Sequence, residues 1–324
     1  MDFNNTIKPC FSVVIPLYNK ADTIARTLRS VQAQAYKNFE VIIVDDGSTD
    51  EGVLIAESFN GKLELKVVRQ KNSGVSVARN TGAKHAKAPY LAFLDADDEW
   101  LPGYLEEINR LIEEFPNAEV YGTNYYCVTN KSLVCNRAWG RTRKLVDFAT
   151  AWIKRCPIHT SSSVIWKTAF DAVAGFVPSH KYYEDAELLF KLAYRGRFCI
   201  SQKPLVKYHT DANIRATNQS APYGKYAHWL YLEELVASKC APKMFYKVAQ
   251  SEIGKNLVYN FVNDRLASSN QIKRDFPNMF RSVGYKGRLL LNRKSLFSWI
   301  YAILYKTLAM IQIRMYMCVK QVKN

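Results

Sequence analysis

Tyr90-Leu91-Ala92-Phe93-Leu94-Asp95-Ala96-Asp97-Asp98 is an apolar run that stops abruptly on carboxylates. A short uninterrupted apolar run bounded by a polar turn reads as a buried strand. The same grammar recurs upstream. Phe39-Glu40-Val41-Ile42-Ile43-Val44 stops at Asp45-Asp46-Gly47-Ser48, and Ser12-Val13-Val14-Ile15 is expected to end at Pro16. Leu65-Lys66-Val67-Val68 is a weaker strand. Between them lie helical patterns. Ile24, Leu28 and Val31 recur at i, i+4 and i+7; residues 75–86 form a small-residue helix; Pro102 opens a helix carrying Leu105, Ile108, Leu111 and Ile112 and closing before Pro116. Strands alternating with helices at this spacing predict βαβ units and an α/β parallel sheet covered on both faces. In such a sheet every strand's carboxyl end lies on one edge, where ligands bind. Asp45-Asp46 and Asp95-x-Asp97-Asp98 should therefore converge, although about fifty residues separate them.

The chain has 324 residues, 48% hydrophobic and 13% aromatic, enough for a sizeable core and incompatible with wholesale disorder. From 120 to about 210 the pattern is mixed; Glu184-Asp185 introduces a helix with Leu188, Leu189 and Leu192 on one face, stopped by Gly196. Beyond Tyr223 the sequence reads as mostly helical. We expect one α/β domain over 8–215 and a helical basic region over 216–324. The net charge of +16 is uneven: residues 201–324 carry 20 Lys and Arg against 6 Asp and Glu, and no acidic side chain follows Asp275. Such a region seeks polyanions, either nucleic acid or an anionic membrane face. Residues 295–319 are broadly apolar with polar groups clustered on one helical face, and their longest uncharged stretch is too short to span a bilayer. That favours a helix lying in a membrane interface, with Arg288, Arg293 and Lys294 meeting anionic headgroups. Nucleic-acid binding is disfavoured, because no recognised motif is present and the apolar face suits lipid better than a phosphate backbone. Seven scattered cysteines without C-x-x-C spacing, and no visible secretory signal, lead us to expect a reduced protein in the cytoplasm, peripheral at the inner face of the cell membrane, without structural zinc.

Carboxylates at i and i+2 in a non-helical segment can aim at one hard cation, and Mg²⁺ or Mn²⁺ held by one or two of them keeps positions for water and phosphate. The plain alternative for Asp95-Ala96-Asp97-Asp98 is a solvated acidic turn capping the next helix. Asp46 could likewise accept from a nucleobase or ribose, or belong to a capping turn. No G-x-G-x-x-G and no Gly-Lys-Ser/Thr loop occurs, so dinucleotide and P-loop readings lack their phosphate cradle. Arg79, on a helix heading for the same edge, faces a diphosphate or is a surface arginine.

Four segments in order, Ser12-Val13-Val14-Ile15-Pro16-Leu17-Tyr18-Asn19, Glu40-Val41-Ile42-Ile43-Val44-Asp45-Asp46-Gly47-Ser48-Thr49-Asp50, Gly74-Val75-Ser76-Val77-Ala78-Arg79-Asn80-Thr81-Gly82 and the stretch ending in Asp95-Ala96-Asp97-Asp98, resemble the successive signatures of family 2 glycosyltransferases. The resemblance covers roughly residues 10–210 and implies a GT-A fold, a Rossmann-like nucleotide-diphospho-sugar transferase domain. It also implies an inverting, metal-dependent transfer with Mn²⁺ or Mg²⁺ as cofactor. Carried over by position, Pro16, Tyr18 and Asp46 hold the nucleotide base, Arg79 and Asp95 belong to the donor site, and Asp97 is the direct metal ligand. Asp185, in Tyr183-Glu184-Asp185-Ala186-Glu187-Leu188, matches the catalytic base of an E-D motif. Many relatives carry Y-R-x-H near the metal; this chain reads Val206-Lys207-Tyr208-His209-Thr210, which makes His209 a candidate for the metal or the phosphates. Trp152, Trp166 and Tyr182 are candidates for stacking on a sugar ring. The implied partners are a nucleotide-sugar donor, a UDP-sugar by preference, and a glycan or lipid-linked saccharide acceptor in cell-surface polysaccharide synthesis. The competing readings are a GT-A protein that binds nucleotide-sugar without turnover, and a basic nucleic-acid-binding protein.

Overall fold

The computed structural model describes residues 10–129, 132–135, 144–154, 156–210, 226–262 and 266–283. In chain order these form β1 (Phe11–Leu17), α1 (Ala21–Gln32), β2 (Phe39–Asp45), α2 (Gly52–Glu57), β3 (Leu65–Arg69), α3 (Val75–His85), β4 (Tyr90–Phe93), β5 (Glu99–Trp100), α4 (Tyr104–Glu114), β6 (Val120–Thr129), β7 (Ser132–Cys135), β8 (Lys144–Val146), α5 (Phe148–Lys154), a 3₁₀ turn (Thr160–Ser162), β9 (Ser163–Trp166), α6 (Lys167–Ala172), α7 (Glu184–Arg195) and β10 (Phe198–His209). Then come α8 (Ala227–Ala237), α9 (Lys243–Val262), α10 (Leu266–Asp275) and α11 (Pro277–Ser282). The chain divides into two compact units, 1–221 and 222–324.

The first unit is built on one sheet with the order β3-β2-β1-β4-β9-β6-β10-β5; β7 adds to β6 and β8 to β10. β3, β2, β1 and β4 run parallel. β1 and β2 are buried at every position, as expected of strands covered on both faces. Beyond β4 the sheet becomes mixed: β9 is antiparallel to both β4 and β6, and two-residue β5 is antiparallel to β10. β1 continues through Pro16 to Leu17 rather than stopping there. The reason lies in the register. Pairing with β4 ends at Val14, whose carbonyl accepts from Leu94, so the edge on which Pro16 lacks an N–H has no strand to bond.

Gly82 fixes how tightly α3 lies on the sheet. A Cβ there would stand 2.3 Å from Val14 Cγ1, so only glycine permits this approach. Arg79, three residues earlier on the same helix, reaches Asp95 just past β4.

The second unit is helical. α8 buries Trp229 and His228, whose side chains meet Glu252 of α9 at 3.3 and 3.4 Å, and Trp229 packs edge-on against Phe276. Glu233 caps α11 by accepting from the N–H groups of Asn278 and Met279 at 2.8 and 2.7 Å. No described helix is long and apolar enough to cross a membrane. The interfacial-helix expectation for residues 295–319, with Arg288, Arg293 and Lys294, lies outside the described residues.

Candidate active site

Strands β1, β2 and β4 deliver their loops to one edge. Asp45 closes the turn after β2, accepting from the Ser48 N–H at 2.9 Å, and Gly47 supplies the φ of +75° that this turn requires. Asp46 is buried, and it organises a second loop. Its Oδ1 accepts from Gln70 Nε2 and the Ser73 N–H, and its Oδ2 from the Gly74 N–H, all at 2.8 Å. A carboxylate offers about four acceptor positions, so one remains on Oδ2. Pro16 lies near the end of β1, and Tyr18 just beyond it is 43% exposed. Asn19 binds the two loops together: its N–H donates to Ser48 Oγ, and its side-chain oxygen accepts from the Thr49 N–H.

The acidic cluster after β4 turns its four carboxylates toward separate parts of the first unit. Asp95 accepts from Arg79 Nη2 at 2.7 Å, and the other end of the same guanidinium donates to Glu184 at 2.9 Å. Arg79 is 4% exposed and lies over the Phe176 ring at 5.1 Å. Asp97 accepts from Lys20 Nζ at 2.6 Å. Asp98 is fully buried, receiving Ser161 Oγ at 2.5 Å and the His209 N–H at 3.0 Å. Glu99 meets His209 Nε2 at 2.7 Å. These bonds tie the cluster to α1, α3, α7, the 3₁₀ turn and β10 together.

Asp185 follows Glu184 at the start of α7. Thr160 Oγ1 donates to it at 3.4 Å, and the space beside it is bounded by Phe93, Phe176 and Leu188. The residue before the pair, Tyr183, takes a left-handed φ of +60° and is 48% exposed, which turns the chain sharply into the helix. Of the aromatic candidates, Trp152 packs its ring on Phe148 and Phe190, Trp166 is 39% exposed at the end of β9, and Tyr182 is half-buried.

Burial and charge set the protonation of this network. Burial pushes the Glu184 carboxyl up and the Asp185 charge adds to that; Arg79 opposes them, and the group settles at about 7. Burial would also raise Asp95, but the charge and hydrogen bond of Arg79 outweigh it and hold Asp95 below its ordinary value. Asp98 is held well above the ordinary range by burial first and then by Asp97 and Asp95. It is an interior carboxyl that fastens the loop.

The structure thus joins Asp95, Arg79 and Glu184 by hydrogen bonds, with Asp185 next to Glu184 in sequence, Asp97 two residues from Asp95 and Asp46 at the amino end of α3. His209 stands on Glu99 rather than on Asp97. Among the described residues no group of three or more His, Cys, Asp or Glu forms a metal cage. The donor set nevertheless fits a hard divalent cation shared with phosphates: such ions take one or two protein carboxylates, and Asp97 already neutralises a cationic group, the Lys20 ammonium. Sequence reasoning missed Lys20 and the bridging role of Glu184. The sequence marks Glu184 as a helix start and as the neighbour of Asp185 in the E-D motif, not as a bridge, and nothing in the local pattern marks Lys20.

Comparison with known proteins places these features in a family. The chain matches "Glycosyl transferase family 2" over residues 12–164. It is 30% identical over 226 residues to an uncharacterized glycosyltransferase of Rickettsia typhi, covering 68% of this chain and 70% of that protein. A Rickettsia prowazekii relative, also an uncharacterized glycosyltransferase, is 30% identical over 64% of this chain and 66% of its own length. The amylovoran biosynthesis glycosyltransferase AmsB of Erwinia amylovora is 45% identical over 108 residues, 32% of this chain and 36% of that one. Among solved structures, S. aureus TarS 1-349 superposes with a TM-score of 0.68 at 19% identity, over 87% of this chain and 83% of that one. The same protein in complex with UDP-GlcNAc gives 0.60 at 22%, over 90% and 79%. At these identities TarS speaks to the fold alone, which is the GT-A arrangement of a mixed sheet with helices.

Proposed function

This chain belongs to glycosyl transferase family 2, and from that premise we propose that it moves a sugar from a nucleotide-sugar, a UDP-sugar, onto a glycan or lipid-linked saccharide with inversion at the anomeric carbon. The observation that carries the reading is the single guanidinium of Arg79 joining Asp95 of the D-x-D segment to Glu184 of the E-D pair, at 2.7 and 2.9 Å. It ties a carboxylate of the D-x-D segment to the residue next to the proposed base. UDP-GlcNAc in the TarS complex and amylovoran biosynthesis for AmsB are consistent with a UDP-sugar donor and a polysaccharide product.

In this reading the uracil lies against Tyr18 and Pro16 and donates to the remaining acceptor position of Asp46. Asp97, with Asp95 two residues before it, would hold Mn²⁺ or Mg²⁺, and His209, whose ring meets Glu99, would have to leave that carboxylate to join them. A bound divalent cation supplies neutralisation of the charge that builds on the departing nucleoside diphosphate. Asp185 takes the proton of the acceptor hydroxyl as it attacks opposite the leaving group. Arg79 spends Nη1 on Glu184 and Nη2 on Asp95, so in this reading it acts on the donor through Asp95. Inversion requires no second nucleophile, and one base is sufficient.

The basic second unit supports a place at the inner face of the cell membrane, where a lipid-linked acceptor would be presented. The test of the reading is a thermal-shift screen of nucleotide-sugars with Mn²⁺, since a ligand that binds only the folded state raises Tm by mass action. A shift with UDP-sugars that Mn²⁺ enhances is expected; no shift with any nucleotide-sugar would overturn it.

A further inference from the structure

Helix α1 grips the acidic loop through one face. Thr23 and Thr27 donate to the Ala96 carbonyl at 2.8 and 3.0 Å, and Arg26 donates to the Asp97 carbonyl at 2.7 Å. These contacts bind backbone oxygens and need no anionic side chain. Lys20 is different in kind. It stands just ahead of that helix, and its ammonium reaches 77 residues along the chain to the Asp97 carboxylate, 2.6 Å from Oδ2, with side-chain exposures of 16% and 12%.

An ammonium at that distance takes one of the lone-pair positions of Oδ2 and sets a full positive charge against the carboxylate. A divalent ion on the same carboxylate would stand within a few ångströms of the ammonium, in a partly buried setting where like charges are poorly screened. A nucleoside diphosphate changes the balance. Its phosphates complete the coordination of the metal and give the ammonium another anion, and the flexible four-carbon stem of lysine lets the charge swing between them.

Building on the assignment of Asp97 as a metal-binding carboxylate, we propose that Lys20 holds that carboxylate in place of the metal until a nucleoside diphosphate arrives, and then pairs with the diphosphate. Lys20 is thus a positioning residue that makes metal and nucleotide bind together rather than separately. The carbonyl of Lys20 accepts from the Thr23 and Ile24 N–H groups whatever its side chain, so the start of α1 survives substitution.

The experiment measures Mn²⁺ uptake by electron paramagnetic resonance, without and with UDP, for the full chain and for K20M, K20R and D97N. The native chain should bind Mn²⁺ alone weakly and Mn²⁺ with UDP well. K20M should bind Mn²⁺ alone about tenfold more tightly or better and Mn²⁺ with UDP less tightly, shrinking the coupling between the two ligands. K20R, which keeps the charge, should stay near the native pattern. A purely structural lysine would yield no gain in metal affinity. K20M binding Mn²⁺ alone as weakly as the native chain overturns the proposal while leaving the metal site standing. If UDP brings no Mn²⁺ to the native chain and D97N behaves identically, the metal assignment itself fails, and the role of Lys20 falls with it.

Discussion

Arg79 and Glu184 are 105 residues apart in sequence and 2.9 Å apart in space. The arginine belongs to the helix that follows β3, and the glutamate opens the helix that leads into β10 in the mixed half of the sheet. Because the same guanidinium also holds Asp95, the two halves of the first unit are joined at the point where the chemistry is proposed to occur. Withdrawing the Arg79 guanidinium from water is costly, and its two acidic partners offset that cost only while both are present.

Replacing Arg79 by methionine leaves Glu184 and the half-buried Asp95 without their counter-charge. Breaking a buried pair from one side typically costs about 3–5 kcal/mol. Denaturant unfolding of R79M should show a loss of that order with an unchanged m-value; a loss under about 1 kcal/mol would mean that the bridge contributes little.

Asp185→Asn should retain donor binding and lose turnover by a factor on the order of 10² or more, because the amide cannot accept the hydroxyl proton. Sugar transfer and UDP binding measured on one preparation check this. Near-native turnover would remove Asp185 from the role of base.

Much of this was readable in the residues, and the limits have physical causes. β1, β2 and β4 declare themselves as apolar runs, and their order alone predicts that Asp46 and Asp97 share an edge. The run of β1 past Pro16 was missed because whether a proline is tolerated depends on which side of the strand is paired, and that is a property of the sheet. β5, two residues long, carries no periodicity and exists because β10 offers a partner. The Lys20–Asp97 and Arg79–Glu184 pairs are tertiary. Each partner by itself looks like an ordinary surface charge, and only the fold reveals that it is largely withdrawn from solvent.

The Glu184 carboxyl, pushed to about 7 from an ordinary 4.5, retains in the folded protein a proton that the unfolded chain releases. Its contribution to stability is therefore fully present below about pH 4.5 and is lost as pH rises through about 7. Relative to E184Q, which cannot titrate there, the native chain should lose Tm between about pH 5 and pH 8. Parallel pH profiles for the two proteins would contradict that assignment.

Stripping divalent ions with EDTA should abolish transfer, and added Mn²⁺ or Mg²⁺ should restore it. A transfer assay before and after chelation decides the matter. Undiminished transfer in EDTA would leave Asp97 with Lys20 as its permanent partner.

The convergence of donor, cation and base on one edge is tested most directly by anomalous diffraction from crystals grown with Mn²⁺ and UDP. The manganese peak should fall at the Asp97 carboxylate, with the uracil at Asp46 and the diphosphate on the side facing Asp185. A peak and a nucleotide located elsewhere on the molecule would contradict the account.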